Sequence, residues 1–217
     1  IVEIGIPFSD PLADGPTIQA ASQRALQSGT NIEKIFSRIA LIRQKIQIPL
    51  AFMTYYNPLF HYGEERFVAK SHSIGVDGLI IPDLPPHEAA TLVRIAGKQD
   101  VALTFFLSPT TKPERRKDIV RVSKGFIYYV SLTGVTGARQ ELPSDLRKEI
   151  QQIKRITRKP VCVGFGVSTP QQVRSVAEIA DGVIVGSAIV KEIERNGKKR
   201  DLVKNVAHFV KSLTAVL

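Results

Sequence analysis

The 217-residue sequence contains a single cysteine, Cys162, so it cannot form an internal disulfide. Neither this cysteine nor the four histidines fall at spacings typical of metal ligands, so we expect no metal site. No apolar run approaches the roughly 20 residues that a membrane-spanning helix needs, and no signal-peptide pattern is present. These absences favour a cytoplasmic protein. The first residue is Ile1 and not methionine, which leaves room for an upstream segment.

The charge is unbalanced, with 30 basic and 20 acidic side chains and a net charge of +10. The basic residues are spread along the chain, no aromatic residues interleave with them, and no recognition-helix motif is present. The sequence therefore does not indicate nucleic-acid binding. An excess of positive charge favours anionic ligands, including phosphorylated ones.

Short apolar runs alternate with helical patterns along the whole chain. These runs are continuously apolar, as expected for parallel strands that are covered on both faces. The predicted strands are Ile1–Ile6, Leu50–Thr54, Gly78–Ile81, Ala102–Leu107, Phe126–Val130, Val161–Gly164 and Gly182–Val185. Alternation of strand and helix predicts a parallel sheet in an α/β protein.

Capping-box spacing marks the predicted helix starts at Thr30 with Glu33, Thr111 with Glu114 and Ser168 with Gln171. Apolar residues at helical spacing are expected to face the sheet. They are Ile32, Ile35, Phe36, Ile39, Ile42 and Ile46, then Leu146, Ile150, Ile153 and Ile156, and finally Val203, Val206, Val210 and Leu213.

The sheet is either an open, doubly wound sheet or a closed (β/α)8 TIM barrel, which needs eight strands. Seven strands are visible and the chain opens directly inside the first of them. We therefore predict one TIM-barrel domain over residues 1–217, with strands 2–8 and their helices present and the first β/α unit missing.

Glu3 stands inside the first apolar run, Ile1–Ile6. A carboxylate in a buried strand is costly unless it is paired or used. It either lies at an exposed strand end, pairs with a structural cation, or, in a barrel, points into the catalytic mouth at the carboxyl ends of the strands.

The following segment, residues 7–16, is longer than a typical strand-to-helix loop and carries Asp10 and Asp14. Such a loop at the catalytic face is a candidate lid. Both aspartates are also ordinary turn and helix-cap residues. Two carboxylates in different environments could nevertheless divide acid and base roles.

Glycines follow the last two predicted strands, in Gly164-Phe165-Gly166 and in Gly186-Ser187. Counted with one missing strand, these are the loops after barrel strands 7 and 8, where many barrels bind phosphate through backbone amides. Each glycine pair could also be a tight turn. The glycine-bearing loop at residues 131–139 suits either a segment that orders over a ligand or a plain surface loop.

The other polar and aromatic candidates are weaker. The histidines His61, His72, His87 and His208 fall in or near helical patterns, and we expect none to be catalytic. Tyrosine and phenylalanine residues near the strand ends are expected to fill the core, and some could line an apolar pocket.

These motifs resemble the tryptophan synthase alpha subunit family. The segment at residues 3–16 is similar to the family signature almost residue for residue. Further similar motifs follow in the same order: Met53-Thr54-Tyr55-Tyr56-Asn57-Pro58, Pro82-Asp83-Leu84-Pro85, the loop at residues 134–137, Gly164-Phe165-Gly166 and Gly186-Ser187-Ala188. The resemblance covers the whole chain and places the first strand and helix of the family before Ile1.

The resemblance implies retro-aldol cleavage of indole-3-glycerol phosphate to indole and glyceraldehyde 3-phosphate. Glu3 would be the acid and base, and Asp14 would hydrogen-bond the indole N–H and stabilise charge developing there. The implied substrate-binding residues are Gly137, Gly166, Gly186 and Ser187 for the phosphate, Thr136 as a contact of Asp14 on loop closure, and Tyr55, Tyr128 and Phe165 around the pocket.

The resemblance also implies a beta subunit as partner, in an α2β2 assembly, which receives the indole through a tunnel. The implied contact surface includes Asp10, Pro11, Asn57, Pro58 and Phe60. The cofactor pyridoxal phosphate would belong to that partner, so no cofactor is expected in this chain.

Two other functions remain open at this point. Another phosphate-binding barrel, such as indole-glycerol-phosphate synthase or phosphoribosylanthranilate isomerase, would lack the segment from Glu3 to Asp14. A non-catalytic alpha-like subunit would only bind and activate the beta subunit; the presence of both carboxylates disfavours it, and the missing first unit favours it.

Overall fold

The computed structural model describes residues 1–131, 145–164 and 166–217. Every predicted strand is found. The strands are β1 (Val2–Gly5), β2 (Leu50–Met53), β3 (Gly78–Ile80), β4 (Ala102–Thr104), β5 (Phe106–Leu107), β6 (Ile127–Val130), β7 (Val161–Gly164) and β8 (Gly182–Ile184). The fourth predicted run is divided at Phe105 into β4 and β5.

Helices alternate with these strands, as the sequence predicts. They are α1 (Pro16–Gln27), α2 (Ile32–Arg43), α3 (Tyr56–Tyr62), α4 (Glu64–Ser73), α5 (Ala90–Lys98), α6 (Pro113–Val122), α7 (Leu146–Ile156), α8 (Pro170–Ala177), α9 (Ser187–Asn196) and α10 (Leu202–Thr214). Within the described ranges, no helix has the length and apolar character that a membrane span requires.

The strands form two parallel four-stranded sheets, in the orders β1-β2-β3-β4 and β5-β6-β7-β8. The chain divides into two compact units around these sheets. The first contains residues 1–105 and 121–125, and the second contains residues 106–120 and 126–217. A single domain over residues 1–217 stays a prediction.

An aromatic cluster defines which face of the first sheet is covered by helices. Phe52 of β2 lies 5.8 Å from Phe36 of α2 and 6.1 Å from Phe67 of α4, measured between ring centroids. All three side chains are at most 1% exposed. Because successive side chains of a strand point to opposite faces, Ala51 and Met53 lie on the face away from these helices.

The predicted helix faces of α2 and α7 are largely confirmed, and that of α10 is confirmed only at Leu213. Phe36 and Ile39 of α2, and Leu146, Ile150 and Ile153 of α7, are buried as predicted. Ile42, Ile156 and Val203 are exposed, by 43%, 38% and 79%. These three residues lie in the first or last turn of their helices, where helical spacing alone does not decide which side chains reach the sheet.

Two of the predicted helix caps are shifted by one residue. The N-cap of α2 is Asn31, whose side chain accepts a hydrogen bond from the amide of Lys34, and not Thr30. The capping box of α8 joins Thr169 and Gln172 and not Ser168 and Gln171. Both neighbouring residues can cap a helix, so the sequence pattern left two registers open and packing selected one.

Each unit contains an aspartate, directly before a strand, that makes the same set of interactions. Asp77, directly before β3, accepts a hydrogen bond at Oδ2 from the amide of Leu50 at 2.8 Å and pairs with Arg43 at 2.6 Å. Asp181, directly before β8, likewise accepts from the amide of Val161 at 2.9 Å and pairs with Lys154 at 2.8 Å. We call these two arrangements the aspartate clamps. Each one joins the starts of two neighbouring strands to the preceding helix.

Candidate active site

Glu3 lies on the face of its sheet that is turned away from the helices. In the parallel register of β1 and β2, Glu3 pairs with Ala51 and Ile4 pairs with Phe52. Since Phe52 packs against helices, Ile4 shares the helix-covered face and Glu3 points to the opposite one. This placement excludes a buried pairing of Glu3 with the helix layer.

The Glu3 side chain is half-buried, and burial has a large electrostatic effect on it. Desolvation raises the pKa of Glu3 to about 7, because the charged form loses its hydration. A carboxyl group with this pKa exchanges a proton readily near neutral pH, which is the property that an acid and base catalyst needs.

Asp14 is held by a tyrosine from the neighbouring strand. The Tyr55 hydroxyl, directly after β2, donates a hydrogen bond to Asp14 Oδ2 at 2.9 Å and accepts one from the amide of Ala13 at 2.9 Å. Tyr55 is 6% exposed and its ring lies 5.4 Å from that of Phe8. The buried Tyr55 side chain therefore contacts both ends of the segment from Phe8 to Asp14.

The family resemblance implied a pocket role for Tyr55, and the contact of Tyr55 with Asp14 was not predicted. The two residues are separated by 41 positions, and only the adjacency of β1 and β2 brings them together. A tyrosine directly after the strand next to an acidic loop was the available signal. It did not specify a partner for the hydroxyl.

Burial also shifts the pKa values of this pair. It raises the pKa of Asp14 above its ordinary value, and the Tyr55 hydrogen bond lowers it by a smaller amount. Burial and the negative charge of Asp14 raise the pKa of Tyr55 well above its ordinary range. Tyr55 therefore stays protonated and remains the donor in this hydrogen bond.

The glycine loops predicted to bind phosphate leave the second sheet at neighbouring positions. Gly164, the last residue of β7, pairs with Ile184, the last residue of β8. Gly166 has a φ of +81°, a backbone conformation that glycine adopts at little cost. Gly186 is the N-cap of α9, and Ser187 is its first residue.

The start of α9 presents backbone amides as hydrogen-bond donors. Its N-cap residue, Gly186, has no side chain that could accept from the amides of the first turn. A Cβ atom placed on Gly186 would have no neighbour within 4 Å, and both Gly186 and Ser187 are exposed. An anion can therefore approach these amides directly, with the helix dipole favouring negative charge.

Tyr128 is a buried residue of β6, 7% exposed. A Cβ atom on Gly164 would be 2.9 Å from the Tyr128 ring, so glycine at this position makes room for that ring. The ring also packs against Phe106 with 4.6 Å between centroids. Three of the implied substrate-binding residues, Thr136, Gly137 and Phe165, lie outside the described residues.

The residues implied as the contact surface for a partner lie at the surface of the first unit. Asp10, Asn57 and Phe60 are exposed, and Pro11 and Pro58 are half-buried. Phe60 is 64% exposed, which is unusual for a phenylalanine, and Leu12 in the same loop as Asp10 is 90% exposed. These residues follow β1 and β2, the same strands that carry Glu3 and Tyr55.

The other candidates take no part in this arrangement. The four histidines, His61, His72, His87 and His208, are all exposed. Within the described parts of the chain, no group of three or more histidine, cysteine, aspartate or glutamate side chains could hold a metal ion.

Comparison with known proteins gives one consistent result. The family model of the tryptophan synthase alpha chain matches residues 1–216. The alpha chain of Caldanaerobacter subterraneus subsp. tengcongensis is 47% identical over 217 residues, covering 100% of this chain and 82% of the relative. The alpha chain of Geotalea daltonii is 48% identical over 200 residues, covering 92% and 76%.

Solved structures agree with the sequence relatives. A structure of the tryptophan synthase α2β2 complex from Pyrococcus furiosus contains a chain that is 41% identical, with a TM-score of 0.90. The similarity covers 98% of this chain and 85% of that one. From these similarities, this chain belongs to the tryptophan synthase alpha chain family, the (β/α)8-barrel lyases that cleave indole-3-glycerol phosphate to indole and glyceraldehyde 3-phosphate.

Proposed function

We propose that Glu3 is the acid and base of this cleavage. The indole carbon that bears the side chain accepts a proton, and the adjacent glycerol hydroxyl loses one as it becomes the aldehyde carbonyl. The electron pair of the broken carbon–carbon bond returns to the indole ring. Glu3, whose pKa is raised to about 7 by burial, can donate the first proton and accept the second.

Asp14 is proposed to accept a hydrogen bond from the indole N–H. Positive charge develops on the ring when its carbon is protonated, and a nearby carboxylate stabilises that charge. The observation in favour of this role is the hydrogen bond that the Tyr55 hydroxyl donates to Asp14 Oδ2. This bond orients the carboxylate, and Tyr55 does not occupy its second oxygen, Oδ1. A positioned carboxylate needs no reorganisation when the charge appears.

The phosphate is proposed to bind at Gly166, Gly186, Ser187 and Gly137, with Thr136, Tyr128 and Phe165 completing the pocket and its closure. The exposure of Gly186 and Ser187 at the start of α9 supports this role for both residues. The net charge of +10 favours an anionic substrate in general.

The chain is further proposed to act with a beta subunit in the cytoplasm and to pass it the indole. The solved Pyrococcus furiosus complex is an α2β2 assembly described in terms of mutual activation. The exposed surface around Asp10, Pro11, Asn57, Pro58 and Phe60 would bind the partner. Pyridoxal phosphate would be bound by the beta subunit, and the alpha reaction itself would use no cofactor.

Indole release from indole-3-glycerol phosphate tests the role of Glu3 directly. We expect the Glu3→Gln variant to lose at least about a hundredfold in kcat, since acid and base catalysis contributes roughly 100- to 10,000-fold. KM should change little, because the amide keeps the size of the carboxyl group. The assay is run with and without a beta subunit.

Glu64→Gln is the matched control, because Glu64 is a partly buried glutamate outside the proposed set of site residues that accepts a hydrogen bond from the Tyr56 hydroxyl. It should leave kcat unchanged. Equal kcat values for the unchanged chain and Glu3→Gln would exclude Glu3 as the acid and base.

A further inference from the structure

The motif Pro82-Asp83-Leu84-Pro85 follows β3 and carries an aspartate, Asp83, that the proposed reaction does not use. The amide of Leu84 donates to the carbonyl of Ile81 at 3.4 Å, and the Leu84 side chain is 5% exposed. The prolines on either side of this pair restrict the backbone further, because the proline ring fixes φ. Asp83 is therefore an exposed side chain on a stiff turn.

Asp83 accepts a hydrogen bond from a backbone amide of the neighbouring loop. Its Oδ1 atom lies 2.9 Å from the amide nitrogen of Tyr56, the first residue of α3. The N-cap residue of α3 is Tyr55, which makes no capping hydrogen bond with its side chain. Asp83 thus supplies, from the loop after β3, the acceptor that an N-cap side chain usually supplies from its own helix.

The peptide group between Tyr55 and Tyr56 is held at both of its polar atoms. Its N–H donates to Asp83, and its carbonyl accepts a hydrogen bond from the Thr54 hydroxyl at 3.1 Å. Thr54 is 1% exposed, and its amide donates to the carbonyl of Ile80 in β3 at 3.1 Å. Because a peptide group is planar, holding both atoms fixes the ψ torsion of Tyr55, which is 155°.

Tyr55 is the residue whose side chain holds Asp14. Its hydroxyl donates to Asp14 Oδ2 at 2.9 Å and accepts a hydrogen bond from the amide of Ala13 at 2.9 Å. The backbone torsions of a residue decide which rotamers its side chain can adopt, so a fixed backbone also restricts the position of the hydroxyl. A continuous chain of contacts therefore runs from Asp83 through the backbone and side chain of Tyr55 to Asp14.

The charge of Asp83 acts on the same tyrosine. Burial raises the pKa of Tyr55 most, the charge and hydrogen bond of Asp14 raise it further, and the charge of Asp83 adds a smaller increase. The Tyr55 hydroxyl therefore keeps its proton and stays the donor to Asp14. In return, this hydrogen bond lowers the pKa of Asp14, which burial raises by a larger amount.

We propose that Asp83 and Thr54 position the Asp14 carboxylate for the alpha reaction by fixing the peptide group that follows Tyr55. Both are positioning residues, because they contact backbone atoms and act on Asp14 only through Tyr55. This inference rests on the proposed function, since it requires that Asp14 stabilises charge on the indole ring. Loss of either hydrogen bond should lower kcat more than it raises KM.

The test removes one hydrogen-bonding group at a time and measures indole release from indole-3-glycerol phosphate. Asp83→Ala removes the acceptor for the Tyr56 amide, and Thr54→Val removes the hydroxyl with little change in shape. We expect each variant to lower kcat about three- to tenfold, the equivalent of one hydrogen bond. Asp83→Asn retains an acceptor oxygen and should keep kcat within about twofold of the unchanged chain.

Two further measurements separate positioning from a general loss of stability. The acidic limb of the activity profile should move to higher pH in Asp83→Ala, because a weaker Tyr55 hydrogen bond lowers the pKa of Asp14 by less. Loss of the Asp83 charge could by itself only lower the pKa of a neighbouring acid and move the limb to lower pH. In a Tyr55→Phe background, which lacks the bond to Asp14, Asp83→Ala should lower kcat less than about twofold.

Asn31→Ala is the matched control, because it removes a helix cap from the same unit without touching Tyr55. Asn31 accepts a hydrogen bond from the amide of Lys34 at the start of α2 at 3.0 Å. Its removal should lower the melting temperature as Asp83→Ala does and leave kcat and the pH profile unchanged. Thermal melts verify that each variant folds, and Thr54→Val carries the test if Asp83→Ala does not.

Unchanged kcat and an unmoved acidic limb in Asp83→Ala and Thr54→Val would overturn the proposal. An equal loss of kcat with and without the Tyr55 hydroxyl would do the same, because the effect would then not pass through Tyr55. Asp14→Asn separates this inference from the proposed function. If Asp14→Asn loses indole release while both positioning variants keep it, only the positioning role is wrong. If Asp14→Asn keeps it, the role proposed for Asp14 is wrong and this inference fails with it.

Discussion

At the scale of single residues, the proposed site combines a carboxyl group with a raised pKa and one with a fixed position. The pKa of Glu3 is raised by burial on the face of β1 that is turned away from the helices. The position of the Asp14 carboxylate is fixed by the hydrogen bond from the Tyr55 hydroxyl. Neither effect needs a metal or an opposite charge. The cost of burying an acid is a loss of stability, which can be measured.

We expect Glu3→Gln to stabilise the fold above pH 7. The folded pKa of Glu3 is about 7 and its ordinary pKa is 4.5, so the folded state holds an extra proton between these values. Stability linked to Glu3 is therefore fully present below pH 4.5 and is lost as the pH rises through about 7. The glutamine variant avoids this loss and should gain about 2–3 kcal/mol at pH 8, with urea denaturation as the measurement.

The same denaturation series at pH 4.5 is the internal control, because there the gain should be much smaller. A gain that does not depend on pH would show that Glu3 ionises in the folded state as it does in the unfolded one.

Tyr55→Phe is expected to lower kcat about tenfold and to move the acidic limb of the activity profile to higher pH. The variant keeps the ring contact with Phe8 and removes only the hydroxyl. Because that hydroxyl lowers the pKa of Asp14, its removal raises this pKa further, and a smaller fraction of Asp14 is ionised at a given pH. The loss of one hydrogen bond to a charged group, about 1.5–3 kcal/mol, accounts for the lower rate.

A matched control is Tyr56→Phe, which removes a hydroxyl that donates to Glu64 at 3.1 Å. It should leave the pH profile unchanged. If both variants shifted the profile equally, the contact between Tyr55 and Asp14 would have no specific role.

At the scale of elements, the helix that begins at Ser187 is suited to bind an anion. Its N-cap is Gly186, which has no side chain to accept hydrogen bonds from the first turn. The proposal that phosphate binds here therefore depends on the lack of a side chain at position 186 as well as on the backbone amides of the first turn. Filling it with a carboxylate should mimic the phosphate.

Gly186→Asp is expected to raise KM for indole-3-glycerol phosphate at least about tenfold with a smaller change in kcat. The open space around Gly186 and its φ of −108° accept a side chain without strain. The introduced carboxylate occupies the anion position and repels the phosphate, and it should also raise the melting temperature by capping α9.

Gly186→Asn is the uncharged control, since asparagine caps a helix equally well and carries no charge. It should raise KM much less than Gly186→Asp. Equal KM values for the two variants would mean that charge at this position has no effect on the substrate.

At the scale of the whole molecule, each of the two units contains one aspartate clamp at the start of two neighbouring strands. The aspartate clamp at Asp77 joins the starts of β2 and β3 in the first sheet, and the one at Asp181 joins the starts of β7 and β8 in the second. Hydrogen bonds within the clamp lower the pKa of Asp181 although burial alone would raise it. Its contribution to stability is present above its unfolded pKa and is lost as the pH falls through the folded one.

Asp77→Asn and Asp181→Asn are each expected to reduce the free energy of unfolding by about 1–2 kcal/mol at pH 7. Asparagine keeps the shape but exchanges a charged acceptor for a neutral one and breaks the pairing with Arg43 or Lys154. Urea denaturation measures the loss, and Asp100→Asn, at an exposed residue with a φ of +53°, is the control. A loss no larger than that of the control would show that the clamps do not stabilise the units.

The sequence by itself determined the order of strands and helices, because continuous apolar runs and helical spacing depend on local composition. The sequence also marked Glu3 as a candidate functional residue, because a carboxylate inside an apolar strand pattern can be recognised without a structure. Family motifs identified Asp14 and the glycines at positions 166 and 186, whose roles remain proposals.

Only the tertiary structure decided which side chains meet. The contact between Tyr55 and Asp14 spans 41 positions, and one cavity of the first unit is lined by the segment after β1 and by residues of α1, α2 and α3. The helix caps at Asn31 and Thr169 and the exposure of Val203 were likewise open in the sequence. Such features depend on the register and spacing of elements that are distant along the chain, and local patterns carry no information about either.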